Sequence, residues 1–109
     1  MSYQYSVESR FIKYAQIDTT ADPNSVSFPS SMKQKDLAKV LYQELIDLGL
    51  EEVELDEWGY VFATIPSNSD RENIPTICLC SHMDTAPDCS GTGVKPLVHR
   101  NYDGNPITL

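Results

Sequence analysis

Cys80-Ser81-His82-Met83-Asp84-Thr85 is the stretch of this sequence best equipped for chemistry. A neutral imidazole can give one ring nitrogen to a zinc ion while a nearby carboxylate accepts from the other, which fixes both tautomer and orientation. His82 and Asp84 are such a pair, with His82 the candidate metal ligand and Asp84 the candidate catalytic acid that steadies it. As a pattern, H-x-D is weak, because a histidine beside an aspartate is also ordinary surface chemistry. Cys78, Cys80 and His82 alternate, so a regular strand puts them on one face, and Cys89 on the following loop could complete a small structural zinc-binding module. The plainer alternative makes Cys78 and Cys80 small apolar core residues.

Other candidates are weaker. Glu51, Glu52, Glu54, Asp56 and Glu57 could recruit a cation or a basic partner, but they lack calcium-loop spacing and read as a solvated strand edge that discourages pairing with another edge. Cys89 beside Asp88 has no second histidine close in sequence to activate it as a nucleophile, and His99 reads as exposed and structural. Gly91-Thr92-Gly93-Val94-Lys95 lacks the spacing of a phosphate loop and follows no strand-to-helix transition.

The elements that must position these groups follow from periodicity. Val7, Phe11, Tyr14 and Ala15 recur at helical spacing, predicting a first helix from about Ser6 to Gln16 whose apolar face meets the core. Thr19 to Ser30 carries turn-forming residues and reads as a loop. Ser31 followed by Gln34 matches a capping box, and Leu37, Val40, Leu41, Leu45 and Leu48 trace one helical face up to Gly49, a suitable left-handed terminator. The period then switches to alternation. Val53 and Leu55 oppose Glu52, Glu54 and Asp56, Tyr60 to Ile65 forms a second strand, and Trp58-Gly59 closes an antiparallel hairpin. The nearly unbroken apolar run from Ile74 to Cys80 predicts a third strand covered on both sides, with His82 at its end, where α/β sheets build sites. Leu97 to Tyr102, Asp103-Gly104 and Ile107 to Leu109 predict a terminal hairpin. The expected fold class is α/β: two N-terminal helices followed by a β-hairpin and a buried strand.

At 109 residues, 40% hydrophobic and 22% charged, the chain is expected to form one modest globular core. A net charge of −8 and a pI near 4.5 argue against general affinity for nucleic acid or an anionic membrane surface. No apolar run approaches the roughly 20 residues of a membrane span, and the opening residues lack a secretory pattern, so a cytoplasmic protein with no membrane partner is expected. The odd, clustered cysteines fit a reducing compartment.

The string from His82 to Gly91, HMDTAPDCSG, followed by Val94, Pro96, Asn101-Tyr102 and Gly104, resembles the first metal-ligand region of the peptidase T family. These are tripeptide aminopeptidases among the zinc-dependent exopeptidases. Phe11-Ile12-Lys13-Tyr14 with Asp18-Thr19, then Pro29-Ser30, then Leu48-Gly49-Leu50 follow the family's opening in order, so nearly the whole chain is covered. The D-T-x-P-D-C-S-G extension is its specific part. One departure is Ser31-Met32-Lys33-Gln34, where the family commonly carries acidic and glycine residues.

The resemblance implies a tripeptide substrate, two zinc ions per complete site, His82 on one of them, and Asp84 orienting a liganded imidazole. It also implies that residues 1–109 are the amino-terminal portion of a mixed-sheet zinc-exopeptidase catalytic domain, lacking the lid domain, the remaining ligands and the general base. One imidazole cannot satisfy four-coordinate zinc, so the piece alone is expected to be inactive and to need the remainder of its own domain as partner. A non-catalytic interaction domain is the third reading. An uncovered apolar strand would then favour self-association.

Overall fold

The computed structural model describes residues 5–108. Helix α1 spans Val7–Ala15, helix α2 Gln34–Asp47, strand β1 Glu51–Leu55 and strand β2 Val61–Thr64. The order α-α-β-β is the predicted one for the first two thirds of the chain.

Helix α2 organises the structure. Its apolar face packs on the β1–β2 hairpin, and Leu37 and Ala38 are its buried apolar side chains. It ends as the sequence predicts. Gly49 has φ +75°, its N–H donates to the Ile46 carbonyl at 2.8 Å, and the Leu50 N–H donates to the Leu45 carbonyl at 3.2 Å, the paired bonds of a Schellman turn. It does not begin as predicted. Residues 31–33 form a tight turn with N–H groups of Gln34, Lys35 and Asp36 bonded three residues back, and Lys33 stands at the helix start without a side-chain cap. Gln34 uses its side chain on Ser30 Oγ, 3.2 Å away, rather than on a Ser31 capping box.

The hairpin is antiparallel, pairing Leu55 with Val61 and Glu54 with Phe62. Asp56 sets its turn by accepting the N–H groups of Trp58 and Tyr60 on Oδ1 at 2.9 and 2.8 Å, while Gly59 takes φ +95°. Glu51, Glu52 and Glu54 are exposed and Val53 and Leu55 half-buried, the alternation expected of a strand with one wet face. Glu52 has φ +49° at an irregularity between Glu51 and Glu54.

Helix α1 joins α2 through polar contacts. Lys13 Nζ lies 2.6 Å from Glu44 Oε1, Arg10 lies 3.7 Å from Glu44 Oε2, and the Tyr14 hydroxyl donates to the same carboxylate. Burial first and Glu44 second raise the Tyr14 pKa, while Lys13 and then Tyr14 lower that of Glu44. The predicted apolar face of α1 is covered only in part: Tyr14 and Ala15 are half-buried, whereas Val7 and Phe11 are 74% and 70% exposed.

The largest correction concerns Ile74 to Cys80. It forms no strand, and Ile77 and Leu79 are 80% and 91% exposed. A strand covered on both sides needs a neighbour at its edge and a layer on each face, and among the described residues the only sheet is the β1–β2 pair. Cys78 and Cys80 are therefore exposed, not core. The terminal hairpin is also not formed. Only its turn survives, where Asp103 accepts from the Asn105 N–H at 3.1 Å, and Leu109 lies outside the described residues. The single modest core shrinks accordingly, and the radius of gyration is 17.6 Å, against about 13 Å for a compact chain of this length. Among the described residues no helix is long and apolar enough to cross a membrane.

Candidate functional site

Thr85 fixes the loop after the apolar run. Its N–H donates to the Thr19 carbonyl at 3.2 Å and its carbonyl accepts the Ala21 N–H at 2.9 Å, so Thr20 and Thr85 form a parallel bridge between the segment leaving α1 and the segment leaving His82. Two residues before this bridge, the loop turns back on itself. His82 Nδ1 lies 2.9 Å from the Asp84 carbonyl oxygen and 3.1 Å from Asp84 Oδ1.

That contact decides the chemistry of the ring. Both neighbours of Nδ1 are acceptors, so Nδ1 carries a proton and donates, and in the neutral ring the lone pair is then on Nε2. The side chain is 84% exposed, which leaves Nε2 accessible, whereas Asp84 is about half as exposed. Ring and acid line one wall of a cleft of about 460 Å³, faced by Phe28 and Pro29 of the loop before α2 and by Trp58 and Tyr60 of the hairpin turn. His82 and Asp84, predicted as a pair, are thus brought together at an opening.

A second set of contacts was not anticipated. Asp18 accepts four hydrogen bonds, two on each oxygen. Thr20 N–H at 3.0 Å and Thr20 Oγ1 at 2.7 Å reach Oδ1, while Lys33 Nζ at 3.0 Å and Thr92 Oγ1 at 2.7 Å reach Oδ2. These donors, Thr92 foremost and then the Thr20 N–H, hold the Asp18 carboxyl well below the usual carboxylate range. Thr20 Oγ1 in turn accepts the Gly91 N–H at 3.0 Å. A Cβ on Gly91 would lie 2.7 Å from Thr20 Oγ1 and 2.8 Å from Asp18 Oδ1, so only glycine permits this approach. Sequence reasoning missed the clasp because Thr20 and Gly91 stand 71 residues apart.

The remaining candidates are not brought together. Cys78, Cys80 and Cys89 are exposed and free, and among the described residues no three His, Cys, Asp or Glu side chains converge as a metal site would require. The structural zinc module is therefore not supported. His99 is exposed, as expected, against residues 100–108, and the acidic residues of β1 face outward. For a zinc ion, the donor set fits one corner of a site: one imidazole with a free nitrogen and an acid that sets its tautomer, short of the four ligands the metal prefers.

No family model matches the chain. It is 53% identical over 100 residues, 92% of its length, to Peptidase T of Geobacillus sp. (strain WCH70), and spans 24% of that protein. Against Peptidase T of Alkaliphilus oremlandii it is 54% identical over 101 residues, and against Peptidase T of Halothermothrix orenii 50% identical over 103 residues, in each case spanning 25% of the relative. The matched region thus takes in nearly all of this chain, which spans about a quarter of the length of the relatives it matches.

Proposed function

We propose that this chain, half identical to peptidase T across nine tenths of its length, is part of a metallo-aminopeptidase of that kind, which releases the N-terminal residue from tripeptides. In this reading His82 ligates one of two zinc ions through Nε2, and Asp84 holds the ring. The observation that carries it is the pairing of His82 with Asp84: Nδ1 is engaged by Asp84, and both residues line one cleft. When bound, zinc polarises the scissile carbonyl and lowers the pKa of a water molecule.

The chain's own contribution is preparatory. Asp84 keeps the proton on Nδ1, so Nε2 meets the metal as a lone pair without a tautomer change. The Thr20–Thr85 bridge holds the loop, and Phe28, Trp58 and Tyr60 line the same cleft as the ring. The other ligands and the general base come from the remainder of the catalytic domain, and without it this chain is inactive.

The test uses a polypeptide of the relatives' full length that carries this segment. His82→Ala is expected to abolish most tripeptide hydrolysis and to reduce bound zinc measured by elemental analysis. Asp84→Ala is expected to weaken metal binding or turnover roughly 10- to 100-fold. Full activity and full zinc content in His82→Ala would refute the assignment.

A further inference from the structure

Among the described residues no sheet holds the loop that carries His82 and Asp84, so other contacts must fix its position. Three contacts do so, all from the segment that follows α1. Thr85 pairs with the backbone on either side of Thr20, the Gly91 N–H bonds Thr20 Oγ1, and Thr92 Oγ1 bonds Asp18 Oδ2. Lys33 Nζ on the same carboxylate ties the assembly to the start of α2. The loop from Thr85 to Thr92 is therefore fastened at both ends to residues 18–21, at Thr85 through the Thr19 carbonyl and the Ala21 N–H and at Gly91 and Thr92 through the side chains of Thr20 and Asp18, and His82 lies three residues before its first anchor.

We propose that Asp18 and Thr20 are positioning residues for the His82–Asp84 pair, setting where the loop leaves His82 and hence where Nε2 points. This rests on the reading of His82 as a metal ligand. Each part of the clasp has a defined chemical requirement. Asp18 must accept on both oxygens, because it faces an N–H, two hydroxyl donors and an ammonium. An asparagine would aim an NH2 donor at either the Thr20 N–H or the Lys33 ammonium. Thr20 must both donate and accept through one hydroxyl, giving its proton to Asp18 and taking that of the Gly91 amide. Valine has the shape of threonine and neither capacity, whereas serine has both.

The experiment compares Thr20→Val, Thr20→Ser, Asp18→Asn and His82→Ala in the full-length protein. The readouts are zinc affinity by chelator competition, the visible spectrum of the cobalt-substituted protein, and kcat and KM for a tripeptide. Thr20→Val and Asp18→Asn are expected to weaken metal affinity roughly 10- to 100-fold, shift the cobalt bands and lower kcat more than they alter KM. Thr20→Ser is expected to return the affinity to within about threefold of the parent, since both hydrogen bonds are kept. Should Asp18→Asn fail to fold, Thr92→Ala, which removes one of the four bonds, is expected to show the same cobalt shift in smaller degree. Parental affinity and spectrum in folded Thr20→Val, or a serine variant no better than the valine one, overturns the proposal. If His82→Ala loses zinc while Thr20→Val does not, the clasp alone is wrong. If His82→Ala keeps its zinc, the ligand reading falls, and this inference with it.

Discussion

Gly91→Ala tests the most crowded glycine of the chain. The added methyl carbon would sit 2.7 Å from Thr20 Oγ1 and 2.8 Å from Asp18 Oδ1, distances that carbon and oxygen do not tolerate. Neither neighbour yields freely: the Thr20 side chain is β-branched and stiff, and Asp18 is held by four hydrogen bonds. The loop must instead withdraw, lengthening the bond from the residue 91 amide to Thr20 Oγ1, which is 3.0 Å in the parent. Overpacking of this kind costs about 1–3 kcal/mol, equivalent to a roughly 5- to 150-fold shift in a local opening equilibrium. Hydrogen exchange followed by mass spectrometry on the full-length protein reads that shift directly in peptides covering residues 19–22 and 84–92. The amides of Ala21, Thr85 and residue 91 are expected to exchange faster by a factor in that range, while those within α2 keep their protection. Protection at residues 85 and 91 equal to that of the parent would show that the clasp does not hold the loop.

Two further outcomes concern the framework. Gly49→Ala places a Cβ in open space but at φ +75°, so the expected cost is backbone strain alone, about 1 kcal/mol, seen as a lower denaturant midpoint, with Gly49→Asn losing less. Glu44→Gln removes the partner of Lys13 and Arg10 and is expected to destabilise at neutral pH by about 0.5–1 kcal/mol. Because the folded Glu44 pKa lies below its ordinary 4.5, its contribution is present above that value and is lost as pH falls through the lower folded one. Denaturant midpoints of parent and Glu44→Gln are thus expected to converge on acidification, and a gap that persists unchanged into strong acid would contradict this account.

Which features were legible in the sequence follows from the range of the interactions that make them. The α2 face, its glycine stop and the β1–β2 hairpin are decided by neighbours a few residues apart, and periodicity carries that information. The His82–Asp84 contact is equally local, two residues in separation. Ile74–Cys80 was misread because an apolar run reports that a segment can be buried, while the strands and layers that would bury it belong to its surroundings. The Ser31 cap failed for a different reason: the tight turn of residues 31–33 supplies the helix start with backbone carbonyls, and Gln34 turns to Ser30. Asp18, Thr20, Gly91 and Thr92 each read as turn residues, and their joint role appears only once the chain brings its first fifth against its last. Sequence similarity to peptidase T, by contrast, spans both ends of that contact at once.

The parallel pairing at Thr20 and Thr85 encloses α2 and the whole hairpin in a single circuit, closed beside it by the Thr19 and Thr85 hydroxyls, 66 positions apart. Closing so long a circuit loses chain entropy that a helix or a hairpin does not, so it forms only after the enclosed elements have shortened the span between its ends. Loop-closure entropy thus favours one order of assembly, scaffold before imidazole. Local opening is expected to run in reverse, freeing the loop that carries the ring and its acid while α2 and the hairpin are still intact.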